Sequence, residues 1–219
     1  LKNGATSTLA IVDGIRAKLT ALKASLPANL EVAPINDQSI FVRAAISAVA
    51  IEGVIAAALT SLMILLFLGS WRSTLIITIS IPLSILVSLS LLSALGETIN
   101  IMTLGGLALA VGILVDDATV AIENITQHLE QGKSLERAIL DGAGQIALPT
   151  LVSTLCICIV FVPMFLLTGV ARYLFVPMAM AVVFAMLASY FFSRTLVPTL
   201  AKYLLRGHTD VHGHHARRN

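Results

Sequence analysis

Long uncharged runs, broken by single acidic or basic residues, cover most of this chain. Nineteen uncharged residues lie between Glu52 and Arg72, 24 between Arg72 and Glu97, and 18 between Glu97 and Asp116; 30 more separate Asp141 from Arg172, and 21 separate Arg172 from Arg194. About 20 apolar residues are needed to cross a hydrocarbon layer of ~30 Å. The runs therefore predict five membrane helices, at about 46–68, 75–95, 101–125, 146–167 and 173–200, the third extended past two aspartates. The links at 69–73 and 96–100 are short, so these helices are antiparallel neighbours. Pro82, Pro149, Pro163, Pro177 and Pro198 are tolerable in such helices, where neighbours re-satisfy freed carbonyls.

Residues 1–45 follow another pattern. After Thr6 and Ser7, suited to a helix N-cap, Leu9, Val12, Ile15, Leu19 and Leu22 recur with Arg16, Lys18 and Lys23 between them. That spacing predicts an amphipathic helix at about 6–25, stopped by Pro27, with a short alternating strand at about 29–34. The two form part of an α+β subdomain too small to stand alone. Residues 126–144 turn polar, which predicts a loop carrying a short surface helix that Ser134 caps, and residues 205–219 read as a polar tail. The chain starts at Leu1 and its first methionine is Met63, as expected of an excerpt from a longer protein.

Composition sharpens the class. With 57% hydrophobic and 12% charged residues and a mean hydropathy of +0.93, the chain lies far from soluble domains, which carry about 25% charged residues. It reads as an all-α transmembrane bundle in a lipid bilayer. A net charge of +2 is too small and dispersed for a nucleic-acid partner. Cys156 and Cys158 have a spacing that turns them to different sides of a helix, as two reduced packing thiols. Four histidines, His208, His212, His214 and His215, lie in the polar tail and read as a solvated linker rather than a metal site. Lys133, Arg137, Lys202, Arg206, Arg217 and Arg218 fall on the side of the Arg72 loop, against Arg172 opposite. The positive-inside rule then puts the C-terminus in the cytoplasm and residues 1–45 outside it.

The candidate chemistry is Asp116 and Asp117, adjacent within the third apolar run. An aspartate near the middle of a membrane helix costs about 2.5–3.5 kcal/mol on insertion scales. The two side chains diverge by about 100° around the axis, so each needs its own surroundings. Gly105, Ala108, Gly112, Asp116, Thr119 and Glu123 fall on one side of the helix. Small residues allow close helix approach, so this stripe is expected to face the inside of the bundle, with Gly105 and Gly112 as packing positions. Asp117 flanks it beside Gly106, Ile113 and Asn124, while lipid or a greasier neighbour covers Leu104, Leu107, Leu114 and Ile122. Desolvation opposes ionisation and a nearby cation favours it, so a carboxylate beside a movable neighbour can act as a proton-binding switch. Pinning of helices by hydrogen bonds is the plainer role; for Glu123 and Asn124 a polar helix end is an ordinary reading.

Gly112-x-x-x-Asp116-Asp117-Ala-x-Val-x-x-Glu123-Asn124 resembles the fourth-helix motif of the resistance-nodulation-division efflux transporters. Val42-Arg-Ala, Gly69-Ser-Trp-Arg and Phe161-Val-Pro-Met164 resemble the second-helix start, the following loop and the fifth helix of that family. The resemblance implies that residues 1–45 end a periplasmic porter subdomain and that the five spans are helices two to six of twelve. It implies a multi-pass protein of the bacterial inner membrane, acting as a homotrimer with a periplasmic adaptor and an outer-membrane channel. No cofactor is implied, the drive being the proton motive force, and Asp116 and Asp117 match the proton-relay aspartates. Heavy-metal members usually keep one acidic residue where this chain has two, which favours the drug and amphiphile branch. The family's relay also includes a lysine in its second half, and the spans here contain none; Lys133 and Lys202 lie at the cytoplasmic side.

Three other readings stand beside it: heavy-metal export, a related sterol-sensing or protein-translocating protein, and an intramembrane aspartyl protease. The protease reading requires aspartates from two different helices and a motif such as Gly-x-Gly-Asp, whereas these are adjacent on one helix.

Overall fold

A computed structural model describes residues 8–23, Pro27, Val32, Asp37 and 39–205. Among them are seven helices: α1 (Thr8–Lys23), α2 (Ser39–Leu68), α3 (Trp71–Ala94), α4 (Ile101–Glu130), α5 (Leu135–Phe165), α6 (Gly169–Arg194) and α7 (Leu196–Leu204). Five stretches are long and apolar enough to cross a membrane, α6 and α7 together making the fifth. The strand expected at 29–34 lies outside the described residues except for Val32, and the tail from 206 lies wholly outside them.

Local chemistry sets the turns. Gly69 and Gly96 follow the ends of α2 and α3 with φ of 62° and 79°, a left-handed conformation that a Cβ disfavours. Asn100 then opens α4 with a capping box: its side chain accepts from the Met102 and Thr103 N–H groups, and the Thr103 hydroxyl oxygen accepts from the Asn100 N–H. These devices satisfy donors that would otherwise be orphaned at a helix start.

Two expectations change. The polar stretch 126–144 is not a loop: α4 runs on to Glu130 and α5 starts at Leu135, so only residues 131–134 connect them. Polarity there marks the solvated ends of two long helices, and the expected surface helix is the first part of α5. Ser134 holds the N-cap position but makes no side-chain cap bond. The fifth span starts at Gly169 and breaks at Thr195, with φ −114° and ψ −60°. Pro198, three residues later, has no N–H to give the Arg194 carbonyl, which explains a break at that turn.

The core forms where α4 meets α6, α3 and α5. Ala110, Leu114, Ala179, Val182 and Ala185 are fully or nearly fully buried together, and Ile77, Ala121, Ile122 and Ile125 form a second cluster towards the α4–α5 link. Two glycines permit close backbone approach. A Cβ on Gly106 would lie 2.5 Å from the Met178 carbonyl oxygen of α6, and one on Gly142 of α5 would lie 3.0 Å from the Ile125 Cα of α4. The Ser88 hydroxyl of α3 donates to the Ala181 carbonyl across the interface at 2.9 Å. α2 packs more loosely and leaves an apolar groove of about 470 Å³ against α3 and α4, lined by Ala50, Val54, Pro82 and Leu107 among others.

α1 is fastened outside this bundle by ion pairs, Arg16 with Asp37 and Arg43 with Asp13, the latter at 3.1 Å. The Asp37 carboxyl is held below the usual carboxylate range, first by hydrogen bonds from Ser39 and then by Arg16.

The tight α4–α6 crossing makes a clear test. Gly106→Leu should destabilise the detergent-solubilised protein by about 2 kcal/mol or more, since the side chain meets backbone rather than a movable tip. A melting temperature unchanged from the parent would contradict the crossing.

Candidate functional site

The site is built on α4, whose 30 residues place Asp116 and Asp117 at its midpoint, about 22 Å from either end at 1.5 Å per residue. Their neighbouring positions on one helix give them opposite surroundings. Asp117 is 7% exposed and points into the bundle; Asp116 is exposed on the helix surface. Each carboxylate therefore answers to different groups.

The surroundings of Asp117 come from α6 and α5. The Ser189 hydroxyl has a single hydrogen and two acceptors in reach, the Leu114 carbonyl oxygen at 3.2 Å and the Asp117 carboxylate. Ionised, Asp117 can only accept and competes for that hydrogen; protonated, it can itself donate. Arg194 of α6 and Cys158 of α5 lie within electrostatic range. The second carboxylate oxygen, Oδ2, is buried and has no hydrogen-bond partner among the described residues.

Among the described residues, the small-residue stripe is not the covered face of α4. Leu104, Leu107, Leu114 and Ile122 are buried by 95% or more, against α3, α5, α6 and α7. Gly105, Gly112, Asp116 and Glu123 are exposed, and Ala108 and Thr119 half-buried. A Cβ on Gly105 or Gly112 would meet nothing within 4 Å. Within this chain, greasy surface is covered by greasy neighbours, and close packing falls to Gly106 and Gly142. The small-residue stripe is left open, with Asp116 at its centre. Asn124 fastens α4 to α5, its Nδ2 donating to the Gly142 carbonyl at 2.8 Å and to Gln145 Oε1 at 3.3 Å.

Sequence reading passed over Ser189 and Arg194. The signal that would have found both is their placement on the same few turns of α6. Among the described residues no three His, Cys, Asp or Glu side chains converge as metal ligands. Cys156 is exposed and Cys158 half-buried, both as free thiols.

Comparison with known proteins agrees with the motif. The family model described as the AcrB/AcrD/AcrF family matches residues 2–218. Multidrug resistance protein MdtC of Yersinia pestis bv. Antiqua (strain Angola) is 36% identical over 200 residues, covering 91% of this chain and 20% of the relative. The protein of the same name from Yersinia pseudotuberculosis serotype O:1b (strain IP 31758) matches to the same extent, 36% over 200 residues. Among solved structures, the crystal structure of a heavy metal efflux pump superposes with a TM-score of 0.74 at 31% identity, over 90% of this chain and 20% of that one. The chain thus spans about one fifth of the length of these relatives.

An open stripe predicts contrasting responses. In residues 1–219 expressed alone, Gly112→Leu should be neutral or stabilising by up to about 1 kcal/mol, because leucine is the better helix former and nothing obstructs it. In a longer protein whose further helices cover the stripe, the same change should destabilise. Equal melting shifts in the two contexts would mean that the stripe stays uncovered.

Proposed function

The chain belongs to the AcrB/AcrD/AcrF family, and on that basis we propose that it is the helix-two-to-six segment of a proton-driven efflux antiporter in a bacterial inner membrane, with Asp116 and Asp117 as its proton-carrying groups. The observation that carries this reading is the pair of carboxylates at the midpoint of α4, one buried by its own half and the other held on an open stripe.

The physics follows from that division. A proton crossing with the membrane potential releases about 2.3 kcal/mol per 100 mV. Binding at a mid-membrane carboxylate removes its charge and with it the demand for a counter-cation or water. Asp117 exchanges that demand with α6 through Ser189; Asp116 exchanges it with whatever covers the stripe. Alternate loading of the two sites changes how tightly α4 is held on its two sides, which is a means of turning proton binding into helix movement. The helices that cover the stripe belong to the second half of the antiporter, and a cation there, the relay lysine implied by the resemblance, completes the surroundings of Asp116.

In this reading residues 1–45 end a periplasmic porter subdomain, the α4–α5 link and the C-terminus face the cytoplasm, and the full protein works as a homotrimer with an adaptor and an outer-membrane channel. Amphiphilic drugs are the favoured substrates, a reading supported by the multidrug relatives and by the presence of both aspartates. Heavy-metal export is the second reading, favoured by the superposed pump structure.

The test uses the full-length antiporter. Asp116→Asn and Asp117→Asn should each lower proton-coupled dye efflux more than tenfold while leaving the protein in the membrane at parental levels, since an amide cannot take up and release the proton. Undiminished efflux in both variants would sink the proposal. Cells that lose tolerance to metal ions but not to amphiphilic dyes on deletion would move the assignment to the second reading.

A further inference from the structure

Arg194 occupies a position that an ordinary charge at the end of a helix does not explain. Its side chain is half-buried and reaches across to α5, where one terminal nitrogen, Nη1, donates to the Ala143 carbonyl oxygen at 2.6 Å and the other, Nη2, to the Thr150 hydroxyl oxygen at 2.8 Å. The guanidinium lies 5.6 Å from the centre of the Tyr190 ring, and the Tyr190 hydroxyl donates to the Ala147 carbonyl at 3.4 Å. These contacts straddle Pro149, the residue at which α5 lacks an N–H for its own ladder. The clamp therefore bridges a turn of α5 that Pro149 weakens.

Among the described residues, two buried polar atoms in this region have no hydrogen-bond partner: Arg194 Nε and Asp117 Oδ2. One belongs to a cation and the other to an acid, on helices that share the core, and the two groups interact electrostatically. Between their levels α6 presents Ser189 and Ser193, both buried, and α5 presents Thr154, also buried. A polar seam thus leads from Asp117 towards Arg194.

We propose that Arg194 is the counter-cation of Asp117 supplied by this half of the antiporter: it grips α5 while Asp117 is protonated and turns towards the carboxylate when the proton leaves. The proton departs from the carboxyl oxygen to water; the guanidinium, protonated throughout, exchanges none. Loss of the proton at Asp117 then loosens the clamp across Pro149, so the ionisation of α4 is read out as freedom of α5. This inference rests on the proton-carrying role of Asp117 proposed above.

Among the described residues no other group supplies that charge. On α4 itself the nearest is Asp116, of the same sign, and on α5 it is the Cys158 thiol. On α6 only the Tyr190 phenol stands beside Arg194. The charged residues of the remaining neighbours are engaged elsewhere or exposed: Arg72 of α3 donates to the Leu204 carbonyl, Lys202 of α7 pairs with Glu136 beside an exposed Tyr203, Arg43 of α2 pairs with Asp13, and Glu52 is exposed.

The experiment is an infrared pH titration of the Asp117 carboxyl in full-length antiporter in proteoliposomes, with the band assigned by its loss in Asp117→Asn. Arg194→Gln keeps hydrogen-bond donors but removes the charge. It should move the midpoint to higher pH by about one unit or more, a tenfold or larger gain in proton affinity, because an opposite charge at close range favours the carboxylate. Arg194→Lys should hold the midpoint near the parent. Thr150→Val, which removes one acceptor of the clamp and leaves the charge, should move the midpoint the other way, to lower pH, because it weakens the grip that competes with the carboxylate for Arg194. An unmoved midpoint in Arg194→Gln, or an equal upward shift in Thr150→Val, would reduce Arg194 to a packing clamp and overturn the proposal. Transport that stays proton-coupled in Asp117→Asn would instead defeat the proton-carrying role of Asp117, while the shift in Arg194→Gln would still stand.

Discussion

A carboxylate halfway along an apolar helix constrains everything placed against it. Insertion of Asp117 at that depth costs about 2.5–3.5 kcal/mol, and the cost is contained only if neighbouring helices bring polar groups to the same level. In this chain α6 does so with Ser189. The central position of α4 follows from the same need, because a helix at the periphery has fewer neighbours able to face its acid.

The adjacency of the two aspartates matters less for their mutual interaction than for the division it imposes. One residue step turns a helical side chain by about 100°, which is enough to put Asp117 under the control of the described bundle and Asp116 beyond it. A pair three or four positions apart would share one face and one set of neighbours. Adjacent acids instead address two separate surfaces of the same rigid element.

The five membrane helices were legible from gaps between charges, because the thickness of hydrocarbon imposes a minimum length on any apolar span. Their ends were less so. Residues 126–144 are polar enough to read as a loop, yet once a helix has left the hydrocarbon nothing requires it to stop, and the stretch Leu135-Glu-Arg-Ala-Ile-Leu contains good helix formers. Facing was the hardest feature to read. The sequence of α4 reveals a small-residue stripe and a leucine-rich face, but which of them this chain covers depends on the faces of α3, α5 and α6, and that is information of tertiary contact. Arg194 was obscured in the same way: its acceptors, Ala143 and Thr150, lie more than 40 positions away, beyond any local pattern.

The length of α4 and α5 carries a mechanical implication. At 30 and 31 residues each is about 45 Å long, some 15 Å more than the hydrocarbon needs. Towards their shared link, Gly142 lets the two backbones touch and Asn124 bolts them together. Two rods joined near one end and free to differ along the rest behave like a pair of tongs: a small displacement at the aspartates appears as torque at the joint.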